Sequence, residues 1–506
     1  MERRQFIKTL SGLTGSIIMP NPANYQLSAA GSMKSSASGN ILVILQLKGG
    51  NDGLNTVIPY GNSLYHDSRP NLAIPDNEVV KLNDHLGLHP DLAPLKPFFD
   101  DEMLRIVQNV GYPEPNRSHF RSTDIWLSGS DSDQYVFDGW AGRMLAQMYG
   151  GYPETIPEHP MAIHLGSVPS LVLESEYGSM GVSIEDPNQF YQMVQGSQAD
   201  TDPPPDTLAG KELEFLKSIA AQSILYANVL RDHSNQGQNL VTYPDTELAE
   251  QLAIISRLIG SGLDTPVYFA TLKKFDTHSN QLARHRTLMG NLAASVSAFI
   301  EDIEKQGIGS RVVLLTLSEF GRRLAENGSE GTDHGTAAPL FLIGDPVAGG
   351  ISGKIPDLSN LDDRGDILYE YDFRQIYASI MRNHFLLSDD QIEAALLRSF
   401  DSIPILDSDS SGIESISQPG DFLLAQNYPN PFNSSTTLSF RLPEKTRVQL
   451  VLYNAQGQLI RTLLDEEKDA GSHSLSFDVG NLPSGTYFYS VKAGLNEDVK
   501  RMTFVR

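Results

Sequence analysis

The chain contains no cysteine, and only two of its 506 residues are tryptophan. The absence of cysteine excludes disulfide bonds, thiolate metal sites and a cysteine nucleophile. Basic residues are also scarce, because 38 Lys and Arg stand against 62 Asp and Glu and the formal net charge is -24. Nucleic acids and anionic membranes select basic surfaces, so this charge argues against either as the main partner.

Long hydrophobic runs are missing as well. The apolar stretch Leu10 to Met19 is interrupted by Gly12 and Gly15 and is shorter than the roughly 20 residues that a membrane-spanning helix needs. We therefore expect no transmembrane segment. With 40% hydrophobic residues the chain can still build a sizeable core, and its length suits two or three domains.

The first residues carry a pair of arginines in the order Arg3-Arg4-Gln5-Phe6-Ile7-Lys8. This motif resembles a twin-arginine signal peptide, although Glu2 stands where Ser or Thr is usual. The resemblance implies a removable signal over residues 1–30, recognition by the twin-arginine translocase and transit through the periplasm. The alternative is a cytosolic amino terminus with a chance arginine pair.

Composition divides the remaining chain. Residues 401–424 are rich in Ser, Asp and Gly and read as a linker, while Gln198 to Pro205 reads as a surface loop within one large domain. We predict an α/β domain over residues 31–400 and a small β-sandwich over residues 425–506.

The large domain shows the pattern of an α/β fold with a mainly parallel sheet. Continuous apolar runs of strand length alternate with helical segments, as expected of strands buried on both faces. A helical face from Leu288 to Ile303 is closed by Gly307. The predicted strands are Ile41 to Leu47, Leu104 to Val110, Met161 to Leu165, Val267 to Leu272, Val312 to Leu317 and Leu340 to Ile343.

Acids and histidines follow the ends of these strands. In parallel sheets the ligand crevice lies at the carboxyl ends of the strands. Several carboxylates in one crevice repel one another unless a cation compensates them, so a divalent metal is the economical explanation. Zinc, manganese, iron, magnesium and calcium all remain open. The candidate ligands are Asp52, Asp276, His278, Glu319, Asp333 and His334.

Four of the candidates also have a structural interpretation, whereas Asp333 and His334, flanked by Gly331 and Gly335, are harder to explain in this way. Asp52 lies between glycines and suits a turn. The segment Asp276 to Asn280, which contains His278, precedes a helix that it would cap. Glu319 would pair with Arg322 or Arg323 at the surface.

Several separated motifs resemble the bacterial domain of unknown function 1501, which is grouped with the alkaline phosphatase and sulfatase superfamily. The resemblance spans about Ile41 to Leu397 and implies an alkaline-phosphatase-like sheet flanked by helices. The motifs are Leu47 to Thr56, Gly87-Leu88-His89-Pro90, Gly111-Tyr112, Asn116 to Phe120, Ser318 to Arg322 and Thr332 to Thr336.

The superfamily pattern carries over to single positions. Asp52 matches the first metal ligand, Asp276 with His278 resembles the later Asp and His ligands, and His334 resembles the final histidine. The acid of an Asp-His pair is replaced by Glu319, while Phe320 cannot supply the second ligand.

The nucleophile is assigned to Ser118, with Arg117 and His119 beside it to hold an anionic ester. The open alternatives are Ser122, Thr123, Thr56 and a purely capping role for Ser118. Sulfatases mature a Cys or Ser in a Cys/Ser-x-Pro-x-Arg context, and Phe120 and Ser122 occupy the Pro and Arg positions here. A phosphoesterase-type reaction is therefore preferred.

The final residues read as a small all-β, Ig-like sandwich. Apolar residues alternate with polar ones at Leu438 to Leu442, Leu475 to Val479 and Tyr487 to Val491. Asn427 to Asn433, Leu452-Tyr453-Asn454 and Leu482 to Tyr487 resemble the type A sorting domain of the type IX secretion system. The resemblance implies passage through that machinery to the cell surface or the medium.

Two functions follow from these patterns. The first is an exported metal-dependent hydrolase that acts on a small anionic ester, a phosphate or a related ester. The alternative is a non-catalytic secreted or surface protein that keeps a sulfatase-like fold.

Overall fold

The computed structural model describes the chain in several stretches. They are residues 39–153, 155–195, 223–406, 423–424, 435–442, 445–454, 459–468, 471–480, 482–483, 485–494 and 496–504. The predicted signal peptide and the predicted loop at Gln198 to Pro205 lie outside the described residues. The chain divides into two compact units, residues 1–412 and 413–506.

The first unit contains sixteen strands in the described residues. They are β1 Ile41–Leu47, β2 Val57–Ile58, β3 Val80–Lys81, β4 Gly87–Leu88, β5 Leu104–Gly111, β6 Ala162–Leu165, β7 Glu174–Ser175, β8 Gly178–Ser179, β9 Val182–Ile184, β10 Val267–Leu272, β11 Val312–Leu317, β12 Arg322–Glu326, β13 Thr332–His334, β14 Ala338–Ile343, β15 Gly350–Ser352 and β16 Tyr371–Asp372.

The α-helices of this unit surround the strands. They are α1 Gly53–Thr56, α2 Ser63–Ser68, α3 Lys96–Asp100, α4 His119–Ser128, α5 Trp140–Met148, α6 Pro187–Val194, α7 Glu247–Gly260, α8 Gln281–Lys305, α9 Phe373–Asn383 and α10 Asp389–Leu396. Residues 223–236 are also helical. Short 3₁₀ helices cover Pro90–Leu95, Leu171–Leu173 and Gly309–Arg311. Within the described residues, no helix has the length and apolar character that crossing a membrane requires.

The nine-stranded central sheet has the order β15-β5-β14-β11-β1-β10-β6-β9, with β16 paired to β5. Strands β1, β10, β11, β6 and β9 are parallel, whereas β14 runs antiparallel to both of its neighbours. Two reversals make β5 parallel to β1. The carboxyl ends of β1, β5, β10 and β11 therefore lie along one edge of the sheet, and β14 begins there.

Alternate residues of β1 enter two different cores. Leu42 and Ile44 pack with α5, α9 and α10 on one face, while Val43 and Leu45 pack with α7 and α8 on the other. Burial on both faces explains why the strands are continuous apolar runs. The predicted α/β class with a mainly parallel sheet is confirmed.

The second unit contains the strands β17 Leu423–Leu424, β18 Ser435–Leu442, β19 Thr446–Asn454, β20 Leu459–Lys468, β21 Gly471–Asp478, β22 Gly485–Ala493 and β23 Asn496–Phe504. They form two antiparallel sheets, β17-β18-β21 and β20-β19-β22-β23. One core draws apolar residues from both sheets, including Phe440, Phe477 and Tyr489. The predicted C-terminal all-β module is confirmed.

Candidate metal centre

Two glycines let the loop after β1 approach the ends of β10 and β11 closely. Gly49 has φ +125° and Gly50 has φ +77°, a region that favours glycine. A Cβ on Gly49 would lie 2.4 Å from the backbone nitrogen of Asp276, and one on Gly50 would lie 2.3 Å from Cε2 of Phe320. Larger residues here would push the three strand ends apart.

Arg322 holds this edge together from inside. Its buried guanidinium donates to the carbonyls of Gly50 at 2.8 Å and Thr332 at 2.8 Å, and also to the carbonyl of Gly49. A further N–H group donates to Oδ1 of Asp276 at 2.8 Å. Arg322 thereby fixes Asp276 against the loop after β1. Partial burial alone would raise the pKa of Asp276, but the hydrogen bond and the charge of Arg322 keep it below its ordinary value.

Three histidine rings surround Asp276. Its Oδ1 lies 3.1 Å from Nε2 of His278, 3.5 Å from Nε2 of His119 and 3.6 Å from Nε2 of His334. The Nε2 atoms of His278 and His334 are 2.9 Å apart. We call His119, Asp276, His278 and His334 the histidine cluster.

The opposite ring nitrogen of each histidine faces an acceptor. Nδ1 of His119 lies 2.8 Å from the carboxylate of Glu319. Nδ1 of His334 lies 2.8 Å from the carbonyl of Arg117, and Nδ1 of His278 lies 3.3 Å from Asp333. A carbonyl or carboxylate can only accept, so each Nδ1 donates. In the neutral rings, the lone pairs are therefore on the Nε2 atoms that face one another.

Glu319 is the buried support of His119. It is 1% exposed and accepts the N–H of Gly49 at 2.9 and 3.1 Å. Its hydrogen bond raises the pKa of the His119 imidazole, whereas burial lowers the pKa of His334. A carboxylate that orients a histidine is the usual outer partner of a metal ligand.

The donor atoms fit a metal ion. The ligand atoms of His119, Asp276 and His334 all lie within 4.8 Å of one another, and Nε2 of His119 has no hydrogen-bond partner among the described residues. Metal bonds of about 2.0 to 2.1 Å in a tetrahedral site separate ligands by about 3.3 Å. The distances of 3.1 to 3.6 Å from Oδ1 of Asp276 to the three Nε2 atoms, and of 2.9 Å between the Nε2 atoms of His278 and His334, bracket that value.

Asp52 lies in a different environment. Both of its oxygens pair with Arg69, at 2.7 and 3.0 Å, and Gln281 donates to one of them. Burial would raise the pKa of Asp52, but the charge and hydrogen bonds of Arg69 outweigh this effect and leave the pKa below its ordinary value. The structure thus places the predicted first ligand in a buried ion pair rather than in the histidine cluster.

Two further predicted ligands lie beside the cluster. Asp333 accepts from Nδ1 of His278 and Glu319 accepts from Nδ1 of His119, and neither carboxylate faces Asp276. Within the segment Asp276 to Asn280, the N-cap residue of helix α8 is Asn280 rather than Asp276, and it makes no side-chain capping hydrogen bond. Glu319 does not form the expected surface pair with Arg322 or Arg323, because it is buried against His119.

Ser118 occupies the N-cap position of α4, is exposed and makes no side-chain capping hydrogen bond. The guanidinium of Arg117 is held by Asp362 at 2.7 Å and by Asp366 at 2.6 Å. Of the other candidate hydroxyls, Ser122 is buried against Tyr112, and Thr56 donates within the loop after β1. Thr123 is half-buried on α4.

Sequence reasoning placed His119 beside the nucleophile, whereas the structure brings it together with Asp276 and His334. It also missed two residues that shape the centre. Arg322 was considered only as a partner of Glu319, and Phe320 only as a missing ligand. The Phe320 ring is 2% exposed and packs 4.9 Å from the His119 ring and 4.6 Å from the His334 ring. The available signal was the arginine that directly follows the strand-end Glu-Phe-Gly.

Two parts of the chain match known protein families. Residues 225–384 match the family described as "Protein of unknown function (DUF1501)". That match includes every cluster residue except His119. Residues 426–504 match a secretion system C-terminal sorting domain, which indicates export to the cell surface or the medium.

Solved structures with similarity to the chain include a Vibrio parahaemolyticus protein of the alkaline phosphatase superfamily, at 8% identity and TM-score 0.34, covering 92% of each chain. A Bacteroides thetaiotaomicron protein from work on glycosaminoglycan metabolism has 12% identity and TM-score 0.34, covering 88% of this chain and 92% of that one. PorZ of the Porphyromonas gingivalis type IX secretion system has 15% identity and TM-score 0.13. Its match covers 19% of this chain and 13% of PorZ. No curated protein matches the chain.

Proposed function

We propose that the chain is an exported metal-dependent hydrolase of phosphate or related esters, with the metal held by His119, Asp276 and His334 and with His278 as a further candidate ligand. The observation that carries the proposal is the facing set of Nε2 lone pairs around Oδ1 of Asp276. Two lone pairs 2.9 Å apart repel one another unless a proton or a cation lies between them. Export would run through the twin-arginine translocase and then the type IX machinery.

The charge of the centre supports a divalent cation. With neutral histidines, the centre contains the carboxylates of Asp276, Glu319 and Asp333; the Arg322 guanidinium pairs with Asp276, and the Arg323 charge helps to lower the pKa of Asp333. At least one negative charge thus remains, and a divalent ion would stabilise it. Imidazole donors favour zinc, manganese or iron over magnesium and calcium.

The residues around the proposed metal have different roles in the proposed reaction. A bound divalent metal would polarise the ester and lower the pKa of a bound water. Glu319 and Asp333 hold the Nδ1 protons of His119 and His278, so that both rings present lone pairs. Ser118 is the proposed nucleophile because its hydroxyl, one residue before His119, makes no capping bond.

One observation favours a non-catalytic surface protein instead. The guanidinium of Arg117, predicted to hold the anionic ester, is occupied by Asp362 and Asp366. In this alternative the cluster would bind metal without turning over an ester.

Metal analysis and an ester screen on the purified full chain test both functions. We expect about one metal ion per chain, turnover of a phosphate or sulfate ester, and loss of turnover with unchanged metal content in Ser118→Ala. Turnover that survives Ser118→Ala would assign attack to water. Bound metal without any turnover would favour the non-catalytic alternative, and absence of metal after incubation with zinc, manganese and iron salts would reject the centre.

A further inference from the structure

An exposed aromatic ring lies beside the histidine cluster. Phe120 is 87% exposed and is the second residue of helix α4, directly after His119. A single exposed ring is common on protein surfaces and by itself indicates nothing. The neighbouring residue supplies a second observation.

Arg121 ties a second exposed ring to the same helix turn. Its guanidinium donates to the carbonyls of Asp131 at 3.2 Å, Ser132 at 3.1 Å and Gln134. It also stacks 4.2 Å from the centre of the Tyr135 ring, which is 72% exposed. The loop that carries Tyr135 is thereby fixed to the first turn of α4.

Helix geometry gives the direction of Phe120. Successive residues of an α-helix are rotated by about 100°, so the Phe120 side chain leaves α4 about 100° from His119, which faces the cluster, and about 100° from Arg121, which faces the Tyr135 loop. We call Phe120 and Tyr135 the aromatic rim.

The surroundings of the rim are acidic. Residues 118–139 contain four aspartates and one arginine. Asp131 pairs with Arg374 and Asp138 with Arg143, whereas Asp124 and Asp133 have no ion-pair partner in the described part of the chain. A substrate with further negative charges on its organic part would be repelled here.

We infer that the aromatic rim selects esters whose organic group is an uncharged aromatic ring, and that Phe120 is the principal specificity-determining residue. This inference rests on the proposed function, because the ester group would be held at the histidine cluster. The ring of the substrate would stack on Phe120, with Tyr135 closing the outer side. An additional anionic group on that ring would face Asp124 and Asp133.

The test compares phosphonates that cannot be hydrolysed, by calorimetry on the zinc-loaded full chain. We expect phenylphosphonate to bind about tenfold more tightly than methylphosphonate, the size of a good aromatic contact, and a para-sulfonate on the ring to remove most of this gain. Phe120→Ala should abolish the preference and Phe120→Trp should keep it. Leu386→Ala is the matched control, because Leu386 is 54% exposed near His384, whose ring contacts Ile41 at the opposite end of β1.

Each outcome is decisive. Equal affinity for both phosphonates, or a preference that survives Phe120→Ala, overturns the aromatic rim while leaving the metal centre intact. A chain that binds zinc but neither phosphonate overturns the rim as well. Failure of the proposed function differs from these results, because it appears as absence of turnover with every ester, with or without bound metal.

Discussion

Two neighbouring regions of the molecule use the same residue types in opposite ways. In the buried network of Asp52, Arg69 and Gln281, carboxylate oxygens meet N–H donors, and all three side chains are fully buried. In the histidine cluster, Nε2 atoms face one another around Asp276, which is 48% exposed. Complete pairing indicates a structural role, whereas acceptors that face one another are the arrangement that the proposed metal site requires.

The network also positions the cluster. Arg69 donates to the carbonyls of Leu324 at 2.7 Å and Arg323 at 2.8 Å, on the strand β12 that carries Arg322. Gln281 accepts from Thr332 at 2.6 Å, on β13 beside His334. The buried network therefore supports the β12-β13 hairpin, which carries Arg322 and His334.

The largest effect is expected where the buried pair is broken. Arg69→Met leaves the Asp52 carboxylate buried without its cation, and we expect a loss of about 3 to 5 kcal/mol in the free energy of unfolding, measured with urea. The double variant Arg69→Met with Asp52→Leu should recover much of that loss. A single variant as stable as the parent would contradict the assigned structural role.

Removal of a cluster ligand should act on the metal and little on the fold. For His334→Ala we expect metal affinity to fall by more than the roughly 10 to 100-fold typical of outer partners. The free energy of unfolding without metal should change by less than about 1 kcal/mol, because the side chain is partly exposed. His85→Ala, at an exposed loop histidine, is the control, and equal metal affinity in the two variants would reject His334 as a ligand.

Glu319 shares a feature with each region: it is buried like the residues of the network, but it contacts His119 of the cluster. Glu319→Gln keeps the shape but removes the charge that holds the Nδ1 proton of His119. We expect a loss of metal affinity of about 10 to 100-fold, determined by competition with a chelator. Glu330→Gln, at an exposed acid, should leave the affinity unchanged, and an unchanged affinity in Glu319→Gln would remove Glu319 from the centre.

Much of the fold was readable because strands buried on both faces are continuous apolar runs, and Ile41–Leu47, Val267–Leu272 and Val312–Leu317 have the predicted bounds. The direction of β14 could not be predicted from the sequence, because a strand buried on both faces has the same apolar pattern whether it is parallel or antiparallel to its neighbours. The strand-end rule identified the edge where Asp276 and Glu319 meet the cluster histidines. It could not show that Asp52 pairs with Arg69, which lies 17 residues away and reaches it only through the tertiary fold.

The smallest expected effect is the response of the cluster to pH, and it is opposite in sign to the larger response of the network. Burial lowers the pKa of His285, which lies beside the network, to about 3. The unfolded chain would bind a proton there near pH 6.5. Stability from this region is therefore lost as pH falls from about 6.5 toward 3.

In the cluster, the Glu319 hydrogen bond raises the pKa of His119. The resulting stability of the metal-free chain is present below about pH 6.5 and lost as pH rises through the raised pKa. Partial exposure of His119 should keep this change below about 1 kcal/mol. Urea titrations without metal, at intervals from pH 5 to 9, would measure it. The decline above pH 6.5 should disappear in Glu319→Gln, while the acid-side loss associated with His285 persists; an unaltered decline would place the titrating group outside the cluster.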